Sequence, residues 1–595
     1  MSKENTPHLL LKNAQQYANE PAISWKDSDG MWQTDSWAEY YNFCLSISKS
    51  LLALGLNVDD KMSIYSYNRR EWFGCYMASQ MLDGAAVGVY HTCSPEEVEW
   101  IVGNSDSKIV FVGNNPMDNG EDEKMPNHRL LKVIDRLDQV EAVVMMSGID
   151  TLGHDKCMTW DDFIAKGKDV DDSEVNARID NINPESTSAL IYTSGTTGNP
   201  KGVELTHNNW TFEISSLDNL FVYKQGEKYI SWLPMAHVFA QAMDNHYWTL
   251  HAMHLYVCDN PLEIVDHAKE IKPNLFIGVP RIYEKIYSNL KANIEGKAIL
   301  KYGLSIPGLS SLLKKKLKEA TGFINTTVAI SGAAPINPDI LKLFQSIGIP
   351  LYEGYGLTEN TAGATLNFDG CNKIGTVGKA MPMVEVKIAD DGEVLIKGGN
   401  VMKGYYKNPE ATADSLKDGW LYTGDLGSID SEGYVKITGR KKEIYVSSGG
   451  KNIAPLVIEE TMKSIPLVSQ CFLEGDGRKY CSAVFTLDVG AILRDKLGVD
   501  AQKIPKDPSA QLALLSDMGK SLSDYTQSDE IFAEIKQSVD SLNGQFSNPE
   551  QIKKFVILPR DLTVDDGELT PTLKIRRKQI RENWGSEIES LYEDA

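Results

Sequence analysis

The hydrophobic pattern of the first 180 residues alternates between two periods. "YYNFCLSISKSLLALGL" (from Tyr40) and "EWFGCYMASQMLDG" (from Glu71) carry apolar residues at helical spacing, the first stopping at Gly55. "KMSIYSYN" (from Lys61), "AAVGVYHT" (from Ala85) and "KIVFVG" (from Lys108) are apolar runs of strand length. Strands alternating with helices predict a parallel sheet covered on both faces. The alternation resumes further on. "NLFIGVP" reads as a strand closed by Pro280, which suits the first turn of a helix over "RIYEKIYSNLKANI". "TTVAISGAAPINPDILKLFQSIG" reads as strand, loop, helix, and "IPLYEGYGLTEN" as strand, then loop. Loops at the carboxyl ends of parallel strands line ligand crevices, so "SGAAP" and "EGYGLTE" fall on one rim.

From about Gly378 the texture changes. "VEVKIADDGEVLIKG" and "YVKITGR" are short alternating strands with turns at Asp391-Gly392 and Glu432-Gly433, which predicts a small β-rich unit. After "GRKKE" a last segment of about 150 residues has its own strands ("CFLEG", "CSAVFTL", "KKFVIL") and helices. A chain of 595 residues is long enough for two to four such units.

Composition narrows the function. A formal charge of −22 argues against nucleic acid as the main partner, so an anionic ligand must be drawn in by local positive groups. Eight cysteines without a CxxC pair read as reduced thiols of a cytoplasmic protein. The N-terminus lacks the apolar core and cleavage site of a signal peptide, and no run of about 18 apolar residues predicts a membrane span. His251 and His254 form an HxxH without a second ligand pair, which is weak grounds for zinc.

The densest local signal is "IYTSGTTGNPKGVELTH", Ile191 to His207. It is not a Walker loop, because Pro200 stands where that pattern needs its second glycine. Lys201 is followed by Gly202 and a strand-like "VEL", so the loop joins two strands. Its N–H groups and the hydroxyls of Thr193, Ser194, Thr196 and Thr197 can cup an anion. The plain alternative is a surface hairpin rich in turn residues. Other loops weaken that alternative. Glu359 suits Mg²⁺ beside phosphate oxygens, Tyr355 offers a flat face, Asp425 can accept from vicinal hydroxyls, and Arg440 can grip a ribose or phosphate.

Taken in order, "YTSGTTGNPKG", "YEGYGLTE", "GWLYTGDLG" and "GRKKE" resemble the signature blocks of the adenylate-forming enzymes: acyl-CoA synthetases, adenylation domains and insect luciferases. Within that superfamily "SWLPMAHVFAQ", "IGVPRIYEKI", "SSGGKNIAP" and "GELTPTLKIRRKQI" are similar to long-chain fatty acyl-CoA synthetases of the bubblegum-like branch. The resemblance implies an α/β fold. A large N-terminal domain (1–441) would hold two parallel-rich α/β subdomains and a small β-barrel at about 378–441. A mobile α+β C-terminal domain (442–595) would turn on a hinge at Lys442. The implied reaction joins fatty acid and CoA at the expense of ATP with Mg²⁺, through an acyl-adenylate.

Matching positions imply the roles. Thr193, Ser194, Gly195, Thr196, Thr197, Gly198 and Lys201 would hold the pyrophosphate end of ATP. Gly332, Ala333 and Ala334 would flank the adenine, with Tyr355 against its face. Thr358 would contact the α-phosphate and Glu359 the magnesium, while Asp425 and Arg440 hold the ribose. Lys574 would be the catalytic lysine, Gly449 and Gly450 would line the pantetheine channel, and His237 would gate acyl and CoA channels. Two departures stand out: Leu573 precedes Lys574 where distant members carry glycine, and the link from "LKANI" to "LKEATGF" is short. "SLLKKKLKEA" (Ser311 to Ala320) reads either as a solvated helix face or as a contact with an anionic membrane. An adenylate-former with another acceptor and a non-catalytic lipid binder are the competing functions; retention of Lys201, Glu359, Asp425 and Lys574 together speaks against the second.

Overall fold

A computed structural model describes residues 4–115, 122–193, 199–295, 304, 306, 308–448, 452–500, 503–570 and 574–593. Most predicted elements form where the pattern puts them. The helix Trp37–Ala53 starts at a Ser36/Glu39 capping box, and Gly55 beyond its end adopts a left-handed φ of 84°. The helix Arg70–Met81 buries every residue from Glu71 to Met81, because it is wedged between a sheet and neighbouring helices.

Two large sheets dominate. Among the described residues one runs Gly404–Tyr405, Lys201–Thr206, Thr187–Thr193, Ala85–Val89, Lys61–Ser66, Ser107–Gly113, Ala142–Met145, Cys157–Met158. Its central pairs are parallel, and the strands flanking the phosphate-loop candidate pair antiparallel with Thr193 opposite Lys201. The other sheet has a parallel centre of His254–Val257, Lys228–Ser231, Leu275–Gly278, Val328–Ser331 and Leu351–Tyr355. Its edge strands Pro21–Lys26 and Trp32–Ser36 come from the far N-terminus, a long-range pairing that local periodicity cannot reveal.

The β-rich region is less self-contained than its texture suggests. Glu385–Ile388, Glu393–Lys397, Leu416–Lys417, Trp420–Ile429 and Val435–Arg440 make a separate five-stranded antiparallel sheet. Lys379–Ala380, however, closes the edge of the second large sheet, and Gly404–Tyr405 returns to pair with Lys201–Thr206. One hydrophobic cluster extends from Leu9 to Leu421 and unites these parts. From Tyr445 onward the chain has cores of its own, around the mixed sheet Val468–Glu474, Cys481–Leu487, Ile552–Ile557 and on that sheet's other face.

Candidate active site

Parallel register sets the rim. Ile330 pairs with Tyr352, so the loops after Ser331 and after Tyr355 leave the sheet side by side. Both loops hold strained backbone: Ala333, Thr361 and Ala362 are non-glycine residues at φ 68°, 55° and 88°. Gly356 turns so tightly that a Cβ there would lie 1.8 Å from the Ala362 carbonyl oxygen, which excludes any side chain. Gly332 sits against Phe239, whose ring would meet a Cβ at 3.4 Å.

Tyr355, Asp425 and Arg440 form one unit. The Tyr355 hydroxyl donates to Asp425 Oδ2 at 2.7 Å, and Arg440 Nε donates to Oδ1 at 2.8 Å. Asp425 and Arg440 face each other on paired strands, so their meeting follows from sheet register. The Asp425 carboxylate is only 6% exposed, yet each oxygen keeps a lone pair for a further donor. Burial and the adjacent Asp425 push the Tyr355 phenol well above its usual pKa, so it stays a donor.

Glu359 lies on the short 3₁₀ turn Thr358–Asn360. Its Oε1 accepts from the Tyr405 hydroxyl at 2.8 Å, and Lys201 Nζ stands 5.0 Å from the centre of the Tyr405 ring. Tyr405 therefore joins the lysine to the carboxylate, and it escaped the sequence reading. The signal was present in "KGYYKNP", but only the return of Gly404–Tyr405 to the Lys201 strand gives it meaning. The residues of the loop itself, Ser194, Gly195, Thr196, Thr197 and Gly198, lie outside the described residues, as do Gly449 and Gly450.

Lys574 enters the same crevice from the far end of the chain. Thr570 N–H donates to the Lys574 carbonyl at 2.8 Å, and the Lys574 N–H donates to Thr570 Oγ1 at 3.0 Å. Lys574 is exposed to solvent, although many protein atoms crowd about it. That desolvation, and next the Arg440 charge, lowers its pKa; Asp425, Glu359 and Glu443 pull the other way. Glu443 is a second group that sequence reasoning missed. The neighbouring cations are occupied elsewhere: Arg577 pairs with the buried Glu459 at 2.6 Å, Arg576 with Glu97 at 2.5 Å, and Lys578 points to solvent near Glu582. The Lys574 charge is felt by Arg440, Asp425 and Glu359.

His237 caps the next short helix, its Nδ1 accepting from the Phe239 N–H at 3.2 Å. Burial, and then the Lys574 charge, lowers its pKa to about 4, so it is neutral near pH 7. A π-helix, Gln241–Tyr247, follows it directly, a form that recurs at functional sites. Lys442 is exposed on the 3₁₀ turn Lys441–Glu443, between the last strand of the five-stranded sheet and Tyr445–Val446.

Among the described residues no group of three or more His, Cys, Asp or Glu is placed to hold a metal. A protein-only cage is thus absent there. One carboxylate, Glu359, beside a loop suited to phosphate fits an ion that arrives with its nucleotide. His251 and His254 do not converge: His251 Nδ1 faces the Tyr223 carbonyl and His254 Nε2 faces Ser24 Oγ.

Comparison with known proteins agrees with this layout. Residues 10–406 match the AMP-binding enzyme family. The long-chain-fatty-acid–CoA ligase FadD15 of Mycobacterium bovis is 33% identical over 596 positions, covering 95% of this chain and 93% of that protein. The long-chain-fatty-acid–CoA ligase ACSBG2 of Xenopus laevis is 30% identical over 634 positions, covering 99% and 83%. Among solved structures, the adenylation domain of a carboxylate reductase from Mycobacterium chelonae superposes with a TM-score of 0.75 at 19% identity, covering 100% and 92%. O-succinylbenzoate CoA synthetase from Bacillus subtilis, in complex with ATP and magnesium ion, gives 0.65 at 21% identity, covering 96% and 99%. At such identities the structural likeness speaks to the fold.

Proposed function

The chain belongs to the AMP-binding enzyme family, and we propose that it is an ATP-dependent long-chain fatty acid–CoA ligase. Fatty acid and ATP give an acyl-adenylate and pyrophosphate; the CoA thiol then attacks the acyl carbonyl, giving the thioester and AMP. The observation that carries this reading is the rim geometry, in which Tyr355 and Arg440 both bond Asp425 and Tyr405 bonds Glu359, with Lys574 near enough for its charge to act on Arg440, Asp425 and Glu359.

The first step brings a carboxylate to an α-phosphate. Two like unit charges at 4 Å repel by about 4 kcal/mol at an effective dielectric of 20. Lys574 supplies positive charge between them, and Thr358 meets the α-phosphate. Lys201, with Thr193 and the residues through Gly198, steadies the departing pyrophosphate. Asp425 and Arg440 hold the ribose, Tyr355 lies against the base, and Gly332 to Ala334 flank it. Mg²⁺ bound at Glu359 would neutralise phosphate charge. Tyr405 fixes the carboxylate that receives it.

The second step needs a different attacking group at the same acyl carbon. Residues 442–595 act as a domain that rotates about Lys442, withdrawing Lys574 and bringing Gly449-Gly450 to a pantetheine channel beside 1–441. The separate cores after Tyr445 support this division. Neutral His237 stands between acyl and CoA paths. Eight free cysteines suit a reducing, cytoplasmic setting. Among the described residues no helix is long and apolar enough to cross a membrane. The helix Leu309–Thr321 buries Leu313 and Leu317 and leaves Leu312 exposed near Lys315 and Lys316, which is where a peripheral membrane contact would fall.

AMP release, measured with and without CoA on acids from acetate to very long chains, tests the reading. Medium to very long chains should outperform acetate, and AMP release should need CoA. Acetate or an aryl acid ahead of palmitate overturns the substrate class, and CoA-independent AMP release overturns the acceptor.

A further inference from the structure

The segment carrying Lys574 is gripped on two flanks by ion pairs of opposite sense. On one side Asp565 offers its carboxylate to Lys124 at 2.6 Å and Arg129 at 3.3 Å. On the other, Arg576 offers its guanidinium to Glu97 at 2.5 Å. Glu97 belongs to the helix Pro95–Asn104, and Arg129 to the helix Pro126–Leu131, both beside the Lys61–Ser66 sheet. An acid reaches out on one flank and a base on the other, so a shifted or reversed docking would set like charges together.

We propose that Glu97 and Arg576 are a positioning pair for Lys574, which holds the lysine at the reacting carboxylate during adenylation and lets go when the second step begins. The inference rests on the reading of Lys574 given above. Local geometry transmits the grip. Arg576 lies two residues beyond Lys574, and its N–H donates to the Glu568 carbonyl at 2.8 Å. Leu569 and Ile575 form an antiparallel bridge, so the segment is a narrow hairpin with Lys574 near its tip. Its base is rigid: the fully buried Glu568 carboxylate accepts from both terminal nitrogens of Arg560, from Asn583 and from Trp584. A stiff base, tethered through Arg576 opposite Glu568, fixes the lysine without touching its side chain. The tether is also breakable, because Arg576 is 36% exposed and Glu97 19%.

The test uses full-length enzyme and both half-reactions. Glu97→Gln keeps the helix cap, since glutamine also serves at that position, and removes only the charge. Pyrophosphate release from ATP and fatty acid should fall by up to about fivefold in Glu97→Gln and in Arg576→Gln, the most that an exposed pair of about 1 kcal/mol allows. Thioester formation from supplied acyl-adenylate should stay within about twofold. The double variant, Glu97→Gln with Arg576→Gln, should lose no more adenylation than either single, because all three remove the same contact. An equal fall in both half-reactions, no fall in either, or losses that multiply in the double variant overturns the proposal. Lys574→Ala runs alongside. If it leaves adenylation intact, the reading of the lysine fails, and the double variant still decides whether residues 97 and 576 act as a pair.

Discussion

The rim of the crevice and the segment bearing Lys574 are held by different physics. The rim is built from paired strands and buried polar contacts within one continuous core that reaches from Leu9 to Leu421. Asp425, almost fully buried, is tied to Arg440 across the five-stranded sheet and to Tyr355 of the second large sheet. The Lys574 segment belongs to separate cores that begin at Tyr445. It meets the rim through water-accessible ion pairs: Arg281 with Asp488, Lys506 with Asp266, Lys124 with Asp565 and Arg576 with Glu97. A buried polar contact is expensive to break, whereas an exposed ion pair contributes about 0–1 kcal/mol. On the proposed reading the rim is preorganised for nucleotide, and the lysine is delivered by a body that can leave.

Removing the delivered charge breaks the comparison most sharply. Lys574→Ala should slow pyrophosphate release about 10²–10³-fold and leave thioester formation from supplied acyl-adenylate largely intact. Rapid-quench measurement of each half-reaction checks this; equal losses would make the lysine structural. On the rim, Asp425→Ala strands Arg440 and frees the Tyr355 hydroxyl. It should raise the KM for ATP by about 10–100-fold, from loss of hydrogen bonds of about 1.5–3 kcal/mol to a charged group. Both half-reactions should suffer, because nucleotide is bound in each, and a one-step effect would remove Asp425 from the ribose site.

Lys442→Pro sharpens the contrast from the side of motion. Proline fixes φ near −65°, so the turn Lys441–Glu443 could no longer swivel. Thioester formation should fall about tenfold more than adenylation. Similar losses in the two steps would place the hinge elsewhere.

The smallest effect concerns pH. Burial lowers His91, His237 and His254 to about 4, against an ordinary value near 6.5. Through these rings stability is lost as pH falls from about 6.5 to 4, whereas the buried carboxyls of Asp244 and Glu353, pushed up to about 7, gain it over the same fall. Replacing His91 and His254 by Gln should therefore make the melting temperature fall less, or rise more, between pH 6.5 and 4 than in the parent chain. An unchanged pH dependence would contradict the assignment of these rings as neutral.

How much the sequence disclosed follows the same division. Periodicity located the central strands and helices, since burial patterns are local. The candidate residues on the rim could be singled out because each lies in a short motif placed by a strand end. The joins were not: Pro21–Lys26 pairing with His254–Val257, and Gly404–Tyr405 pairing with Lys201–Thr206, depend on contacts between distant segments. Tyr405 and Glu443 were missed for that reason. Lys574 was singled out through resemblance alone, and the structure adds that two of its basic neighbours, Arg576 and Arg577, are paired with Glu97 and Glu459.

The most direct test of a preorganised rim with a departing lysine is a single turnover without CoA. Enzyme mixed with ATP, Mg²⁺ and palmitate should release about one equivalent of pyrophosphate and retain acyl-adenylate, by the two-step chemistry above. Adding CoA should then release AMP and acyl-CoA together. Pyrophosphate that appears only when CoA is present, or AMP that leaves before CoA is added, would contradict the account.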